Sequence, residues 1–192
     1  MKIINKYIFW VLFAMAVIIL SPADDFLSVS AETKKPLETV GAVDLNRYAG
    51  VWYETARLPN KFQKQCTGNV KLEYVAKTNG RIGVTNRCDE ANGKKTVVKG
   101  EARVQDKKTN AKLEVRFAPK FLSFLPAVWG DYWVIALDAE NYQYALVGDE
   151  SRKYLWFLSR TPQMNEETYQ ELLKIAVEKG FNTTKIIRTK ND

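Results

Sequence analysis

Residues 70–87 read Val-Lys-Leu-Glu-Tyr-Val-Ala-Lys-Thr-Asn-Gly-Arg-Ile-Gly-Val-Thr-Asn-Arg. Two alternating runs flank Asn79-Gly80, a dipeptide that strongly favours a tight turn between antiparallel strands. Successive side chains of a strand point to opposite faces, so each run has one distinct face for the interior. Those faces carry Val70, Leu72, Tyr74 and Ala76 before the turn and Ile82, Val84 and Asn86 after it. The stretch therefore predicts a β-hairpin with one buried face.

The rest of the chain continues as a series of short strand signals. The other predicted strands are residues 47–58, 96–105, 112–117, 132–137, 142–147, 154–159 and 184–188. Three of them, between residues 132 and 159, are apolar on both faces, so a further layer must cover one face. A helix that follows Asn165 and ends before Gly180 supplies this layer, because its apolar residues recur at helical spacing. These residues are Tyr169, Leu172, Leu173, Ala176 and Val177.

This order of elements predicts an all-β fold. Eight antiparallel strands with short links favour a closed up-and-down β-barrel, with one C-terminal α-helix packed outside and a short final strand. An open β-sandwich is the alternative, because it also buries one face of each strand. Sandwiches usually need a long crossing link, whereas consecutive hairpins suit the barrel. An eight-stranded barrel has room for one small ligand.

The first 31 residues have the three-part pattern of a signal peptide. Lys2 and Lys6 precede an apolar run at residues 8–20, and Val29-Ser30-Ala31 offers small residues for cleavage. The run is shorter than the roughly 20 residues that a membrane-spanning helix needs, and an uncleaved N-terminal anchor is the alternative. We therefore assign residues 1–31 to a signal peptide, residues 32–45 to a polar N-terminal tail and residues 46–192 to one domain.

The composition excludes several classes of function. The chain carries a formal net charge of +7, two cysteines and no histidine. A basic chain can bind nucleic acid, an anionic membrane or an acidic ligand, but no dense basic stripe with interleaved aromatic residues favours nucleic acid. The absence of histidine excludes Ser-His-Asp and Cys-His catalysis, and with only two cysteines it argues against a metal site.

Three stretches, in the right order, resemble the signature blocks of the lipocalin family. They are residues 50–54, Gly-Val-Trp-Tyr-Glu; residues 130–138, Gly-Asp-Tyr-Trp-Val-Ile-Ala-Leu-Asp; and residues 154–162, Tyr-Leu-Trp-Phe-Leu-Ser-Arg-Thr-Pro. The resemblance runs from about Val43 to the end and is closest to bacterial lipocalins related to apolipoprotein D. It implies a barrel that binds fatty acids or lysophospholipids.

The positions of the cysteines help to predict the compartment in which the protein functions. Many members of that subfamily are outer-membrane lipoproteins acylated on an N-terminal cysteine, but here no cysteine precedes Cys66. We therefore expect an exported protein, periplasmic or secreted, that is not acylated. Strand counting places Cys66 and Cys88 together at the open end of the barrel. In an exported chain this favours a disulfide, with two free buried thiols as the alternative.

The opposite end of the barrel is expected to be closed by Trp52 and Arg160. Strand counting places both residues there, at the start of the first strand and the end of the eighth. A guanidinium lying on an indole face gives a cation–π contact and a planar lid, so we assign both residues a structural role. Without Arg160, an ordinary core aromatic would be the default interpretation of Trp52.

The side chains expected to line the cavity follow from alternation, starting with Trp52 pointing inward. They are Glu54, Ala56, Leu58, Leu72, Tyr74, Ile82, Val84, Asn86, Ala102, Val104, Val115 and Phe117, with Tyr132 and Trp156 as aromatic candidates. Among them Glu54 is an inward carboxylate. It either bonds polar groups of the ligand or is satisfied by tyrosine or asparagine neighbours inside the barrel, because a buried charge must be partnered.

The loop at residues 119–130 contains the apolar run Phe121-Leu122-Ser123-Phe124-Leu125-Pro126-Ala127-Val128-Trp129. An apolar run in a loop indicates a binding surface or a buried position. Within a mildly basic rim, Phe121, Phe124 and Trp129 suit contact with an anionic membrane surface. The alternatives are a lid that folds inward over the ligand and a dimer contact, so a monomer and a homodimer both remain open.

Three functions are compatible with this barrel. The apolar interior favours storage or transport of a fatty acid or lysophospholipid, with no cofactor and no chemistry. The alternative is a carrier of another hydrophobic ligand, such as a tetrapyrrole or carotenoid held by packing, since haem ligation by histidine is excluded. An enzyme is disfavoured, because it would need a nucleophilic cysteine deep in the cavity and both cysteines lie at the rim.

Overall fold

The computed structural model describes residues 35–192, so the predicted signal peptide at residues 1–31 lies outside the described residues. The described strands are β1 Gly50–Arg57, β2 Cys66–Ala76, β3 Ile82–Glu90, β4 Lys95–Val104, β5 Lys112–Arg116, β6 Gly130–Leu137, β7 Tyr144–Gly148, β8 Leu155–Ser159 and β9 Ile187–Arg188. The α-helices are α1 Leu45–Tyr48 and α2 Glu166–Glu178. Within residues 35–192, neither helix is long and apolar enough to cross a membrane.

Strands β1 to β8 close into an antiparallel barrel. Each strand pairs with the next, and β1 also pairs with β8, through Glu54 opposite Leu158. On its other side β1 pairs with β2, where Trp52 lies opposite Leu72. Because the last strand returns to the first, the predicted closed barrel is confirmed and the open sandwich is wrong.

The hairpin that decides the fold has the predicted register, with Tyr74 opposite Val84 and Ala76 opposite Ile82. Its turn is one residue longer than the two-residue type that Asn79-Gly80 favours. The amide of Lys77 donates to the carbonyl of Arg81 at 2.8 Å, so three residues lie between them. Gly80 has φ +73°, the left-handed conformation that the third residue of such a loop requires.

The N-terminal part of the predicted first strand is instead the short helix α1. Asp44 caps it, since its carboxylate accepts hydrogen bonds from the amides of Asn46 and Arg47 at 2.9 and 3.3 Å. An aspartate at this position satisfies amides that a helix leaves free at its start. Helix α1 thereby places Tyr48 across the end of the barrel opposite the open end.

Strand β1 contains a bulge that changes which side chains face inward. Its register with β8 shifts between Glu54 and Ala56, so one extra residue is inserted there. A shift of one residue moves every later side chain to the opposite face. Ala56 therefore packs outside the barrel in the core beneath α2, and Arg57 takes the inward position beside Trp156.

The outer core lies between α2 and the two-sided strands, as the sequence predicts. Asn165 caps α2 by accepting from the amide of Thr168 at 2.7 Å. The ring of Tyr169 packs 5.2 Å from that of Phe157, centroid to centroid. Buried members of this core include Leu146, Leu155, Leu172, Ala176 and Phe181. Val177, predicted on the buried face, is instead exposed because it lies at the edge of the apolar stripe.

The segment before α1 is not a detached tail. Leu37 is buried in the outer core and Val43 in the barrel core. The amide of Val40 donates to the carbonyl of Val134 at 3.0 Å, and the amide of Val43 donates to the carbonyl of Thr109 at 2.7 Å. Residues ahead of the predicted boundary at residues 45 and 46 therefore pack against the barrel, because a few apolar residues in a polar stretch are enough to dock it.

The last strand is shorter than predicted. Residues 183–185 form a 3₁₀ turn, and only Ile187 and Arg188 pair with β1, opposite Arg57 and Ala56. Beyond β9, the carbonyl of Lys190 accepts from the amide of Asn69 on β2 at 2.8 Å. The C-terminal segment thus fills the gap that opens between β1 and β2 towards the open end.

Candidate functional site

The barrel encloses a cavity of about 740 Å³, a size typical of small-molecule sites. It reaches from α1 at the closed end to the loops β1–β2, β5–β6 and β7–β8 at the open end. Its wall is mostly apolar and comes from the inward faces of the strands. The cavity wall is therefore formed by the inward-facing side chains of alternating strands such as those of the hairpin at residues 70–87.

Most of the residues predicted to line the cavity do so. Ten of the fourteen candidates form part of its wall, Ile82 among them; the other nine are Leu72, Tyr74, Val84, Asn86, Ala102, Val115, Phe117, Tyr132 and Trp156. Contact of these side chains with a ligand stays a prediction.

Four predicted lining residues do not reach the cavity. Ala56 and Leu58 follow the bulge in β1 and therefore belong to the outer core. Val104 packs at the edge of the barrel core and Glu54 is fully buried beneath the wall, so neither lines the cavity. Alternation fails at Ala56 and Leu58 because β1 is irregular. It fails at Val104 and Glu54 because neighbouring side chains cover them on the side that faces the cavity.

Glu54 points inward, as predicted, and is satisfied by the protein. Its carboxylate accepts hydrogen bonds from Arg57 at 2.8 Å, from Gln63 Nε2 at 2.6 Å and from Thr189 Oγ1 at 2.7 Å. Gln63 Oε1 in turn accepts from Trp156 Nε1 on the cavity wall at 2.9 Å. Glu54 is therefore satisfied inside the protein, but the predicted tyrosine or asparagine partners are wrong, because the donors to its carboxylate are Arg57, Gln63 and Thr189.

Three tyrosines form the polar part of the closed end. The hydroxyl of Tyr132 lies 2.8 Å from that of Tyr48 and 2.9 Å from that of Tyr74. Burial raises the pKa of Tyr48, and it raises the pKa of Tyr74 and Tyr132 well above the ordinary value. All three rings line the cavity, so the closed end of an otherwise apolar space presents neutral hydroxyl groups.

Trp52 and Arg160 seal the barrel behind these tyrosines. The guanidinium carbon of Arg160 lies 3.9 Å from the centroid of the Trp52 ring. Its nitrogens donate to the carbonyls of Val51 at 2.8 Å, Arg47 at 2.6 Å and Tyr142 at 3.2 Å. Desolvation lowers the pKa of Arg160, but a guanidinium is so weak an acid that it stays charged at neutral pH.

The disulfide between Cys66 and Cys88 joins the start of β2 to β3 at the mouth. The predicted bridge is present, with 5.5 Å between the two Cα atoms. Aromatic rings continue the wall outward, since Phe62 lies 5.6 Å from Tyr154, which stacks on Trp156 at 5.9 Å. The mouth is therefore a braced, largely aromatic rim.

Charged side chains surround this rim. Lys61 and Arg87 line the mouth, and Arg87 forms an ion pair with Glu73 at 3.2 Å. Within residues 35–192, Lys61 has no carboxylate oxygen within 4.0 Å of its Nζ and lies 5.3 Å from the ring of Phe62. Burial raises the pKa of the Asp131 carboxyl at the same rim, a hydrogen bond with the Glu150 backbone opposes this, and the negative charges of Glu150 and Asp149 raise the pKa further.

The β5–β6 loop carries its aromatic residues in two different environments. Phe121 and Phe124 are 74% and 75% exposed, so neither side chain folds over the cavity. Trp129, predicted to share their surface, instead packs on Arg103, whose guanidinium carbon lies 4.1 Å from its ring centroid. The indole also donates to the carbonyl of Ser123 at 2.9 Å, because an indole N–H that is removed from water needs an acceptor.

Several cavity residues were missed by the sequence analysis. Tyr48 was placed in a strand, whereas α1 turns it into the closed end. Gln63 and Lys61 lie in the β1–β2 loop, to which alternation does not apply. The Asp44 cap just ahead of Leu45 was the one local signal that indicated the helix carrying Tyr48.

The chain is similar to known proteins along most of its length. The model of a family described as a lipocalin-like domain matches residues 43–191. Temperature-induced lipocalin-1 of Arabidopsis thaliana is 44% identical over 158 residues, which cover 81% of this chain and 83% of the relative. Outer membrane lipoprotein Blc of Vibrio cholerae is 36% identical, covering 81% and 85%, and apolipoprotein D of Mus musculus is 34% identical, covering 76% of each.

Solved structures agree on the fold. Insecticyanin from the tobacco hornworm Manduca sexta superposes with a TM-score of 0.63 at 20% identity, covering 81% of this chain and 85% of that one. Apocrustacyanin C2 superposes with a TM-score of 0.61 at 16% identity, covering 78% and 80%. The chain therefore belongs to the lipocalin family, whose barrel binds hydrophobic ligands, and is related to bacterial Blc and apolipoprotein D.

Proposed function

We propose that this protein is an exported carrier that stores or transports a fatty acid or lysophospholipid in its barrel cavity. The main support is an apolar cavity of about 740 Å³ that is open at one end. A cationic residue, Lys61, lies at its mouth. A one-chain lipid has the same layout, an apolar tail that ends in a polar or charged head. The tail lies along the strands and the head remains at the rim.

The apolar wall supplies the affinity for the tail. Transfer of each methylene from water into such an environment contributes about 0.8 kcal/mol, so a long acyl chain gains more from burial than any single polar contact gives. Leu72, Val84, Ala102 and Val115 form the middle of the wall, where the small side chain of Ala102 leaves volume for the chain.

The rim supplies selectivity for an anionic head. A carboxylate or phosphate near the exposed Lys61 gains a charge-assisted contact at the rim. Arg87 adds positive charge at the same rim, although Glu73 offsets part of it. Fatty acids and lysophospholipids both have heads of this kind, whereas a neutral ligand gains nothing there.

Export is supported by the disulfide and by the N-terminal sequence. Structural disulfides persist in oxidising compartments, and Cys66 and Cys88 are joined. Residues 1–31 have the pattern of a cleaved signal peptide, which would give a periplasmic or secreted protein. The relative Blc is named an outer membrane lipoprotein, but in this sequence no cysteine precedes Cys66, which supports a protein without N-terminal acylation.

A binding role is favoured over catalysis by the state of the cysteines. The enzyme hypothesis needed a free nucleophilic thiol in the cavity, and both thiols are used in the bridge at the mouth. Lipocalins are generally carriers, which supports the same conclusion. The polar groups of the closed end are neutral tyrosine hydroxyls, which suit hydrogen bonding to a ligand.

Native mass spectrometry of the exported protein, purified without detergent, tests the proposal. We expect one bound lipid per chain, identified after extraction as a fatty acid or lysophospholipid, and no visible absorbance. A tetrapyrrole or carotenoid would absorb visible light and replace the lipid assignment. A protein that carries no lipid and binds neither class on titration would refute the carrier proposal.

We propose further that the open end touches an anionic membrane when the ligand is exchanged. The supporting observation is that Phe121 and Phe124 expose apolar rings on the β5–β6 loop, and Phe62 is 60% exposed on the β1–β2 loop at the same end. Exposed lysines of these loops, Lys61, Lys64 and Lys120, add attraction to anionic lipid of about 1 kcal/mol each near the surface.

Co-sedimentation with anionic vesicles tests this contact. We expect weak binding by the unmodified protein and its loss in Phe124→Asp, with fatty-acid affinity unchanged. The control is Val177→Asp, which changes another exposed apolar side chain, on α2 and far along the chain from these loops. Equal loss of fatty-acid affinity in Phe124→Asp would favour a lid, and a change from dimer to monomer without vesicle binding would favour a dimer interface.

A further inference from the structure

The closed end of the cavity holds a short chain of hydroxyl groups. Tyr132 lies in the middle, with its oxygen 2.8 Å from that of Tyr48 and 2.9 Å from that of Tyr74. These residues come from β6, α1 and β2, three separate elements that converge at the floor. The surrounding side chains, among them Leu45 and Leu158, are apolar.

The three hydroxyl groups have one proton more than the hydrogen bonds between them require. Three hydroxyls bring three protons, and two oxygen–oxygen contacts consume two of them. Whichever way the protons are arranged, one O–H is left to donate. Among residues 35–192, no further acceptor lies within hydrogen-bond distance of these three oxygens.

The hydroxyls are held in their donor form. Burial raises the pKa of all three groups, so none is ionised near neutral pH. A buried donor without an acceptor carries a desolvation cost that an incoming acceptor can remove. The floor is thus a place in the cavity where an oxygen atom of a ligand is better accommodated than a methyl group.

The same surroundings disfavour a negative charge. The charge of Arg160 acts on Tyr48 and lowers its pKa slightly against the effect of burial, but the guanidinium lies on Trp52 and donates to three backbone carbonyls. It does not line the cavity, so a carboxylate at the floor would have no cation to pair with. An isolated buried charge is costly, whereas a neutral carbonyl needs only the spare donor.

We propose that the tyrosine floor, defined as Tyr48, Tyr74 and Tyr132, is a subsite for a neutral oxygen acceptor at the buried end of a long apolar ligand. The chemical class is a lipid with a ketone or similar carbonyl near its far end, in addition to any head at the mouth. This inference rests on the proposed carrier function. It goes beyond it by making the ligand polar at both ends.

Matched ligands test the subsite. Affinities are measured for hexadecanoic acid, 15-oxohexadecanoic acid and 13-oxohexadecanoic acid, because the keto group of one of the two oxo acids should reach the floor. One hydrogen bond to the spare donor should tighten binding of that oxo acid about threefold to tenfold relative to the parent acid. An oxo group makes the acyl chain less hydrophobic. Burial of apolar surface alone therefore predicts that both oxo acids bind more weakly than the parent acid.

The variant Tyr48→Phe/Tyr74→Phe/Tyr132→Phe removes every hydroxyl while keeping the rings. Replacing all partners of a hydrogen-bonded group by apolar groups of the same shape is often nearly neutral for folding. In this variant the preference for the oxo acid should vanish or reverse. Tyr53→Phe is the control, because Tyr53 lies on the outward face of β1 beside Lys71 and should leave the preference intact.

Infrared spectroscopy of the isotope-labelled keto group gives a second measurement on the unmodified protein. Its stretching frequency should fall on binding relative to its value in an alkane, as a hydrogen-bonded carbonyl requires. An oxo acid that binds no tighter than the parent acid, with an alkane-like carbonyl frequency, overturns the subsite and leaves the carrier proposal standing. Failure of all three acids to bind would overturn both.

Discussion

The guanidinium carbon of Arg160 lies 3.9 Å from the ring centroid of Trp52, although the two residues are 108 positions apart in sequence. The contact joins the end of β8 to the start of β1, the two strands whose pairing closes the barrel. Trp52 is fully buried and donates from Nε1 to the carbonyl of Tyr48 at 2.8 Å. The guanidinium of Arg160 therefore stabilises both the β1–β8 pairing that closes the barrel and helix α1, which covers the closed end.

Arg160→Ala should lower the free energy of unfolding by about 2–4 kcal/mol, because it removes the cation–π contact and hydrogen bonds made by a charged group. Arg160→Lys should recover only part of this, since an ammonium lacks the planar fork that reaches several carbonyls. Chemical denaturation measures both variants. Fatty-acid affinity should change less than stability; a large loss of affinity with unchanged stability would refute the structural role.

The buried pair of Glu54 and Arg57 should show strong coupling. Removing one partner of a buried ion pair leaves the other charge uncompensated, so Arg57→Met should cost about 3 kcal/mol or more. The double variant Glu54→Leu/Arg57→Met should cost less than the sum of the two single variants. A double-mutant cycle by denaturation tests this, and costs that add within about 0.5 kcal/mol would contradict the coupling.

The tyrosine floor should make stability depend on alkaline pH. The pKa values of Tyr48, Tyr74 and Tyr132 are raised in the folded state, whereas unfolded tyrosines titrate near pH 10. The contribution of these tyrosines to the free energy of unfolding is therefore complete below about pH 10. It is lost as the pH rises towards their pKa values in the folded state, by up to about 1.4 kcal/mol per pH unit for each tyrosine.

Two measurements check this dependence. Phenolate absorbance should show that at least three of the nine tyrosines ionise only when the protein unfolds. The free energy of unfolding should fall less steeply above pH 10 in the triple phenylalanine variant described above. Equal slopes for the variant and the unmodified protein would show that these hydroxyls are accessible to solvent.

Lys61 should contribute to affinity through the head of the ligand. Lys61→Gln should weaken hexadecanoic acid binding by up to about fivefold at low salt, the range of an exposed ion pair, and less at high salt. Binding of the methyl ester should not change. Lys174→Gln is the control, because Lys174 lies exposed on α2. If the ester were weakened as much as the acid, Lys61 would act by packing rather than by charge.

The regular parts of this fold could be predicted because they obey simple periodicities. The hairpin around Asn79-Gly80 and the apolar stripe of α2 both depend on local sequence, and both are present. The closing contact of Trp52 and Arg160 followed from strand counting, since in an up-and-down barrel every strand end falls at a known end of the molecule.

The failures lie where a local irregularity breaks a periodicity. The bulge between Glu54 and Ala56 turned Ala56 towards the outer core and Arg57 towards the inside of the barrel, where it pairs with Glu54. No sequence signal marks an inserted residue in an otherwise even strand. Trp129 was grouped with Phe124 because both lie in one apolar run, although the position of Trp129 depends on Arg103 of a neighbouring strand. The tyrosine floor was missed as a unit for the same reason, because its members are far apart in sequence.

The acyl chain is expected to lie inside the barrel cavity itself. Ala102 is 5% exposed and lies on the inward face of β4, opposite Val115, where it lines the cavity. Ala102→Trp should fill this part of the cavity, and overpacking a wall also costs about 1–3 kcal/mol of stability. Val97→Trp is the matched control, because Val97 lies on the same strand and is 50% exposed on its outer face.

Isothermal titration of both folded variants with hexadecanoic acid is the most direct measurement. The unmodified protein and Val97→Trp should bind one molecule per chain with equal affinity, and Ala102→Trp should lose binding by at least about tenfold, as the loss of one or two buried methylenes already implies. Unchanged affinity and stoichiometry in a folded Ala102→Trp protein would contradict the account, because the acyl chain would then lie outside the barrel.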